Sequence, residues 1–120
     1  MPLQQITPIL RIFDLAKAKE FYLDFLGFKL DWEHGVEQNL PTYLQISKDA
    51  CVLHLSEHYG DGSPGIAIRI ASSELAAYHQ ELIAKNYKFA RPGLETADWG
   101  GQECSLLDPF GNRLIFFENQ

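Results

Sequence analysis

Cysteine is scarce: Cys51 and Cys104 are the only two in 120 residues, they lie far apart, and each sits in a strand-like run. No Cys-x-x-Cys pair occurs, so neither a disulfide framework nor a cysteine-rich metal knot is available, and buried free thiols in a reducing compartment are expected. Basic residues are few as well, 10 Lys and Arg against 16 Asp and Glu, for a formal charge of −6. Such a surface repels nucleic acid and anionic membranes, which excludes both as partners, and it suits a cationic ligand. No apolar run approaches the roughly 20 residues that cross a bilayer. The first residues, Pro2-Leu3-Gln4-Gln5, show no basic stretch leading into an apolar one, so a cytoplasmic location is expected. The single Gly/Pro/Ser-rich break, Gly60-Asp61-Gly62-Ser63-Pro64-Gly65, leads into a strand-like run rather than a helix, which excludes a phosphate-cradling loop. No Ser or Cys stands at a nucleophile elbow beside a base.

What is present is an ordinary globular composition, 46% hydrophobic and 22% charged, arranged as two similar halves. In the first, residues 8–13 read as a strand and Asp14 as the N-cap of a helix over 15–26. Leu15, Ala18, Tyr22, Phe25 and Leu26 share one face of that helix, and Gly27 closes it in the left-handed conformation. Strands follow at 28–33, 42–47 and 51–56, with Lys48-Asp49 as the tight turn between the last two. After the Gly/Pro break the pattern restarts: a strand at 66–70, Ser72 or Ser73 capping a helix to about 85, and Asn86 as its left-handed stop. Leu75, Tyr78, Leu82 and Ile83 make the apolar face of this second helix, and strands follow near 88–90, 102–107 and 113–118. Arg11-Ile12 before the first helix recurs as Arg69-Ile70 before the second. Each half is β-α-β-β-β, and the expected organisation is one domain over 1–120 made of modules at about 6–59 and 65–118. Such a unit covers one sheet face with its helix and leaves the other open, so two of them can enclose a cavity or pair across a dimer interface.

Two blocks carry a resemblance. One, within 9–27, is a strand followed by Asp14-Leu15, then Phe21-Tyr22, then Leu26-Gly27-Phe28. The other is the tail, where Trp99-Gly100-Gly101 leads into a strand, Asp108-Pro109-Phe110-Gly111-Asn112 turns, and a last apolar strand follows. With these the chain resembles the glyoxalase/bleomycin-resistance/dioxygenase superfamily, also called vicinal oxygen chelate proteins. The resemblance implies an α+β fold of two βαβββ modules in tandem, with mixed sheets curving round a cavity and helices outside.

The superfamily's metalloenzymes carry ligands at positions that fall here on Thr7, His54, Gly65 and Ile115. One of the four, His54, ligates well; Gly65 has no side chain and Ile115 is apolar. His54, Ser56 and His58 alternate along one strand, but no third strong ligand accompanies the two histidines. Asp14 and Asp108 are accounted for as a cap and a turn. No metal, no cofactor and no catalytic residue is expected, and the enzymatic reading (a glyoxalase-like lyase, a ring-cleaving dioxygenase or a fosfomycin thiol transferase) is the alternative. A binder of some other metabolite is a further alternative.

The nearest pattern is that of the bleomycin-resistance proteins, metal-free homodimers that sequester the antibiotic in crevices between subunits. Asp31-Trp32 resembles their acidic-aromatic pair on the second strand, and Trp99 an aromatic residue at the crevice edge. Either indole is equally compatible with packing in a core or a dimer interface. The resemblance implies Asp31, Trp32 and Trp99 as ligand-binding residues, with Glu33 as a second candidate carboxylate; His54 is read as a polar cavity wall, and Tyr43, Gln102 and Phe110 as further walls of the ligand-binding site. An indole stacks on flat rings, and a carboxylate attracts a cationic tail. The chain departs from the pattern at 33–41 and at Gly65-Ile66, where further aromatic walls are missing; a smaller planar ligand would fit that departure.

Overall fold

A β-α-β-β-β order is written twice along the chain of the computed structural model, which describes residues 2–119. The chain divides into two units, Met1–Pro64 and Gly65–Gln120. The first contains β1 (Ile9–Arg11), helix α1 (Leu15–Lys19) widening into a π-helical stretch (Glu20–Phe25), then β2 (Lys29–His34), β3 (Tyr43–Lys48) and β4 (Cys51–Ser56). Its sheet runs β1-β4-β3-β2, with β1 parallel to β4 and the other pairs antiparallel. The second contains β5 (Ala67–Ala71), α2 (Leu75–Ala84), β6 (Glu95–Thr96), β7 (Gln102–Leu107) and β8 (Arg113–Glu118), in the equivalent order β5-β8-β7-β6. The fold is α+β with two mixed four-stranded sheets.

Local chemistry explains the first unit well. Asp14 caps α1 by accepting a hydrogen bond from the Lys17 amide at 2.9 Å, and Gly27 ends the helical stretch at φ +85°. Between them the helix widens, the Leu26 amide reaching back five residues to the Phe21 carbonyl at 2.9 Å. Ala18, Phe21, Tyr22, Phe25 and Leu26 are buried, the i, i+3, i+4, i+7, i+8 spacing of a single helical face, so the widening leaves that face intact. Along the strands, Leu10, Leu44, Ile46, Leu53 and Leu55 are buried on the helix side, each stabilising the fold by about 1.5–3 kcal/mol. Lys19 on the helix pairs with Glu33 of β2 at 2.9 Å, which fixes that same side of the sheet. The residues between them in sequence, Tyr43, Gln45, Ser47, Val52 and His54, form the face away from the helix.

Three sequence expectations shift. The β3–β4 turn is Asp49-Ala50 rather than Lys48-Asp49: Lys48 still pairs with Cys51, and Asp49 takes the left-handed φ of +53° that a carboxamide or carboxylate side chain tolerates. No strand forms at 88–90. There the Ala90 amide turns back to the Tyr87 carbonyl, and Pro92, lacking an N–H, postpones pairing until Glu95 meets Glu103.

The third concerns α2, which neither Ser72 nor Ser73 caps. Ser72 bonds its own strand at the Ile70 carbonyl, and Glu74 occupies the cap position at φ +55°. The capping group comes from β8: the Glu118 carboxylate accepts from the Glu74 amide at 3.1 Å and the Leu75 amide at 3.0 Å. A carboxylate at a helix N-terminus meets unsatisfied N–H groups and the positive end of the dipole. Glu118→Ala should therefore lower unfolding stability by about 1–2 kcal/mol in urea titration. A loss under about 0.5 kcal/mol would mean that solvent replaces the carboxylate at no cost.

Candidate ligand-binding site

The face of the first sheet away from the helix is set by an irregularity in β2. Leu30 lies opposite Ile46, but Trp32 lies opposite Gln45, so the register slips at Asp31. A bulge of this kind re-aims a side chain. Asp31 and Trp32, neighbours in sequence, consequently both reach partners on β3's outer residues. The Trp32 indole stacks on Tyr43 with centroids 6.0 Å apart and planes 10° from parallel, and meets His54 edge-on at 5.3 Å. His34 lies 5.0 Å from the indole, and Tyr43 packs edge-on to His54 at 5.2 Å. Trp32 remains 37% exposed. Its neighbours are thus an aromatic cluster open to a ligand, outside the apolar core.

Beneath the rings runs a chain of hydrogen bonds with a defined sense. Asp31 accepts from Gln45 Nε2 at 3.1 Å and Ser47 Oγ at 3.0 Å, with the Lys29 ammonium at 3.5 Å. Because Gln45 gives its NH2 to the carboxylate, its Oε1 faces His54 Nε2 at 2.9 Å, and that nitrogen carries the proton. The neutral ring's Nδ1 is then the acceptor for the Tyr43 hydroxyl at 2.7 Å. The bonds from Gln45 and Ser47, helped by Lys29, hold the Asp31 carboxyl below its ordinary range, so it is an anion that orients the whole row.

A second carboxylate stands near the same ring. Asp61 accepts from Ser56 Oγ at 2.9 Å, and burial together with its charge pushes the Tyr43 hydroxyl up. Its loop comes close because Gly62, at φ +84°, lies where a Cβ would stand 2.9 Å from the Ile9 carbonyl oxygen. Glu33, the other acidic candidate, points to the helix side, paired with Lys19.

Burial holds His54 below the ordinary histidine value. A base that binds its proton less readily when folded contributes stability in full above about pH 6.5 and loses it as the pH falls toward its folded value. The drop in urea midpoint between pH 7.5 and 5.5 should accordingly be larger for the wild type than for His54→Gln. An identical drop in both would assign the dependence to other groups.

In the second unit the expected residues separate. Trp99, 48% exposed, packs edge-on to Phe117 at 6.3 Å, and its ring lies where a Cβ on Gly101 would stand, so glycine is required there. Arg69 sits over Phe117 at 4.4 Å and pairs with Glu103 at 3.1 Å. Gln102 belongs to the opposite set of β7, the one that buries Cys104 and Leu106, and its register partner is Glu118. Phe110 lies in the Asp108–Asn112 turn, at the far end of the β7–β8 hairpin from Trp99, about six strand residues or roughly 20 Å away. Trp99 and Phe110 therefore do not share one surface patch.

A family model described as "Glyoxalase superfamily protein" matches residues 1–120. The chain belongs to the glyoxalase superfamily. Solved structures agree on the fold. A bleomycin-binding protein complexed with bleomycin is 21% identical, covering 98% of this chain and 100% of its own, at a TM-score of 0.74. The bleomycin resistance determinant encoded on transposon Tn5 is 19% identical, covering 98% and 99%, at 0.75. TnmS3, an antibiotic binding protein from Streptomyces sp. CB03234, is 18% identical, covering 100% and 99%, at 0.74. At these identities the likeness is one of fold. No curated protein matches the chain in sequence.

Glyoxalase-superfamily metal chemistry does not fit the donors on hand. Of Thr7, His54, Gly65 and Ile115, His54 alone is a strong donor, and both its ring nitrogens are engaged by Tyr43 and Gln45. His58 lies beyond the end of β4, in ring contact with Tyr43 at 6.3 Å. Among the described residues no three His, Cys, Asp or Glu side chains are grouped as a metal ion needs. The thiols offer no nucleophile either: burial pushes Cys104 up to about 11 and raises Cys51 in the same direction. Among the described residues no helix is long and apolar enough to cross a membrane.

Sequence reasoning missed Gln45, Ser47, Asp61 and His34 on this face. Alternation along β3 places Gln45 and Ser47 beside Tyr43, a signal that was there to be used. Nothing local marks Asp61, whose loop looks like punctuation between halves.

Proposed function

We propose that the chain is a metal-independent binding protein of the bleomycin-resistance type, holding a planar, cationic small molecule such as bleomycin by stacking and charge. The observation that carries this reading is the Trp32–Tyr43 stack set directly beside the Asp31 anion, with Asp61 on the other side of Tyr43. An exposed indole offers a flat ring a stacking surface, and two carboxylates give a cationic tail a counter-charge. The hydrogen-bond row fixes the rings before a ligand arrives, which lowers the entropy lost on binding. The net charge of −6 steers a cation toward the protein. Likeness of fold to a bleomycin-binding protein and to an antibiotic binding protein supports the same class of ligand. In this reading the protein works in the cytoplasm as a homodimer, with two equivalent crevices, and performs no covalent chemistry.

The test is a titration of metal-free bleomycin, then its copper complex, into chelator-treated protein with tryptophan fluorescence as the readout. Saturable quenching near one ligand per subunit is expected, with a dimer in size-exclusion chromatography at micromolar concentration. A flat titration accompanied by a rise in melting temperature on adding a divalent metal would overturn the reading in favour of an enzyme. A monomer would remove the crevice.

A further inference from the structure

The second unit carries a groove that the proposed ligand-binding face does not use, with Gly65 and Pro92 among its lining residues. It encloses about 630 Å³ between the 89–92 segment and the β5, β7 and β8 strands, within the usual range for small-molecule sites. Ala67, Ser105, Leu107 and Arg113 supply its floor, all from strand positions that alternate with the buried Leu106 and Leu114. Phe89 and Arg91 form the opposite wall. The backbone beside that wall is tied to α2 by His79, whose Nε2 lies 2.8 Å from the Pro92 carbonyl oxygen.

Two features set its chemistry. The first is charge. No Asp or Glu lines the groove, although acidic residues outnumber basic ones along the chain. Arg91 and Arg113 both line it, and among the described residues no carboxylate holds either guanidinium, whereas Arg69 is held by Glu103. The Lys88 ammonium lies 5.0 Å from the centre of the Phe89 ring, a further positive group beside a lining residue. The second is apolar surface left uncovered: Phe89 is 67% exposed and Leu107 60%. Unpaired arginines beside exposed apolar side chains make a site with a cationic pole and a flat greasy one.

We infer that this groove is a binding site for an aromatic carboxylate, with the carboxylate held by Arg91 and Arg113 and the ring laid against Phe89 and Leu107. A guanidinium matches a carboxylate with two parallel N–H donors, and its selectivity is for that planar shape. The ring contributes by covering the phenyl and isobutyl groups that water now contacts. The inference stands on the second unit by itself, and the ligand it names is opposite in charge to the one proposed for the Trp32 face. The two readings therefore succeed or fail separately.

The probe is 2-naphthoate, followed by amide chemical shifts in the labelled full-length protein, with 2-naphthamide as the neutral isostere and inorganic phosphate as the anion without a ring. Saturable shifts confined to Ala67, Ala90, Ser105, Leu107 and Arg113 are expected, weakening as salt is raised. The amide and phosphate should each bind at least tenfold more weakly. Arg113→Gln should weaken naphthoate at least tenfold, and Arg91→Gln, on a surface loop, gives the same reading should the strand substitution disturb folding. Equal binding of naphthamide would leave only an apolar groove, and equal binding of phosphate only a basic patch; either overturns the inference. So would naphthoate shifts elsewhere in the chain or no shifts at all.

Discussion

Replacing Trp32 by alanine is expected to weaken bleomycin binding by about 1–3 kcal/mol, roughly 5- to 150-fold in Kd, with little change in the unfolding midpoint. The asymmetry follows from where the indole sits. It is 37% exposed, and its ring neighbours are Tyr43, His34 and His54, so removing it opens no cavity among the buried leucines. Truncation of a stacking platform registers in the complex; truncation of a core residue registers in the free protein. Trp99→Ala makes the informative contrast. Its ring rests on Phe117 and over Gly101, so part of its loss should appear as lower stability of the second unit. Should Trp32→Ala instead lose stability and keep its affinity, the indole is structural and the proposed site is wrong.

Asp108→Ala should cost the fold more than any other polar substitution described above, about 3 kcal/mol in urea unfolding. Asp108 is buried, and its carboxylate accepts three hydrogen bonds, from the Phe110 amide at 2.8 Å and from the Asn112 amide and side chain at 2.9 Å each. Alanine strips the partner from all three donors while Asn112 stays buried, so water does not readily replace it. The backbone closes the same turn from outside, the Asp108 amide bonding the Asn112 carbonyl at 2.9 Å. Asp108→Asn keeps one acceptor but brings its own NH2 toward that of Asn112, so an intermediate loss is expected. A variant within about 0.5 kcal/mol of wild type would show that the turn is held by its backbone and by Pro109 alone.

These cases mark how far local chemistry reads through. The Asp14 cap, the Gly27 stop, the Asn86 stop and the Asp108 turn each depend on residues within five positions, and each is visible in the chain as written. Alternation identifies the buried strand faces, and the repeated β-α-β-β-β order identifies the fold. Where the decisive partner is distant, the sequence is mute. Glu118 caps a helix that starts 43 positions earlier, and the serines beside that helix are the better local candidates. The 88–90 run has strand-like residues, yet Pro92 and the hold of His79 on its carbonyl keep it out of the sheet. In the candidate site, Trp32, Tyr43 and His54 are brought together as strand spacing suggests, while Trp99, Gln102 and Phe110 fall on three different parts of the second unit. Trp99 rests on its place before Gly100-Gly101, and Gln102 and Phe110 on side-chain type, and neither signal encodes which way a strand faces.

The irregularity at Asp31 has one more consequence. It lies in β2, an edge strand of its sheet, where an unpaired backbone position is tolerated. Without it a period of two would send Asp31 and Trp32 to opposite faces. Loss of one residue there would exchange a carboxylate-and-indole surface for a different one while leaving Leu44, Ile46 and the rest of the buried layer in place. The side chains this face presents are thus set by chain length at an edge, independently of the residues that hold the protein together.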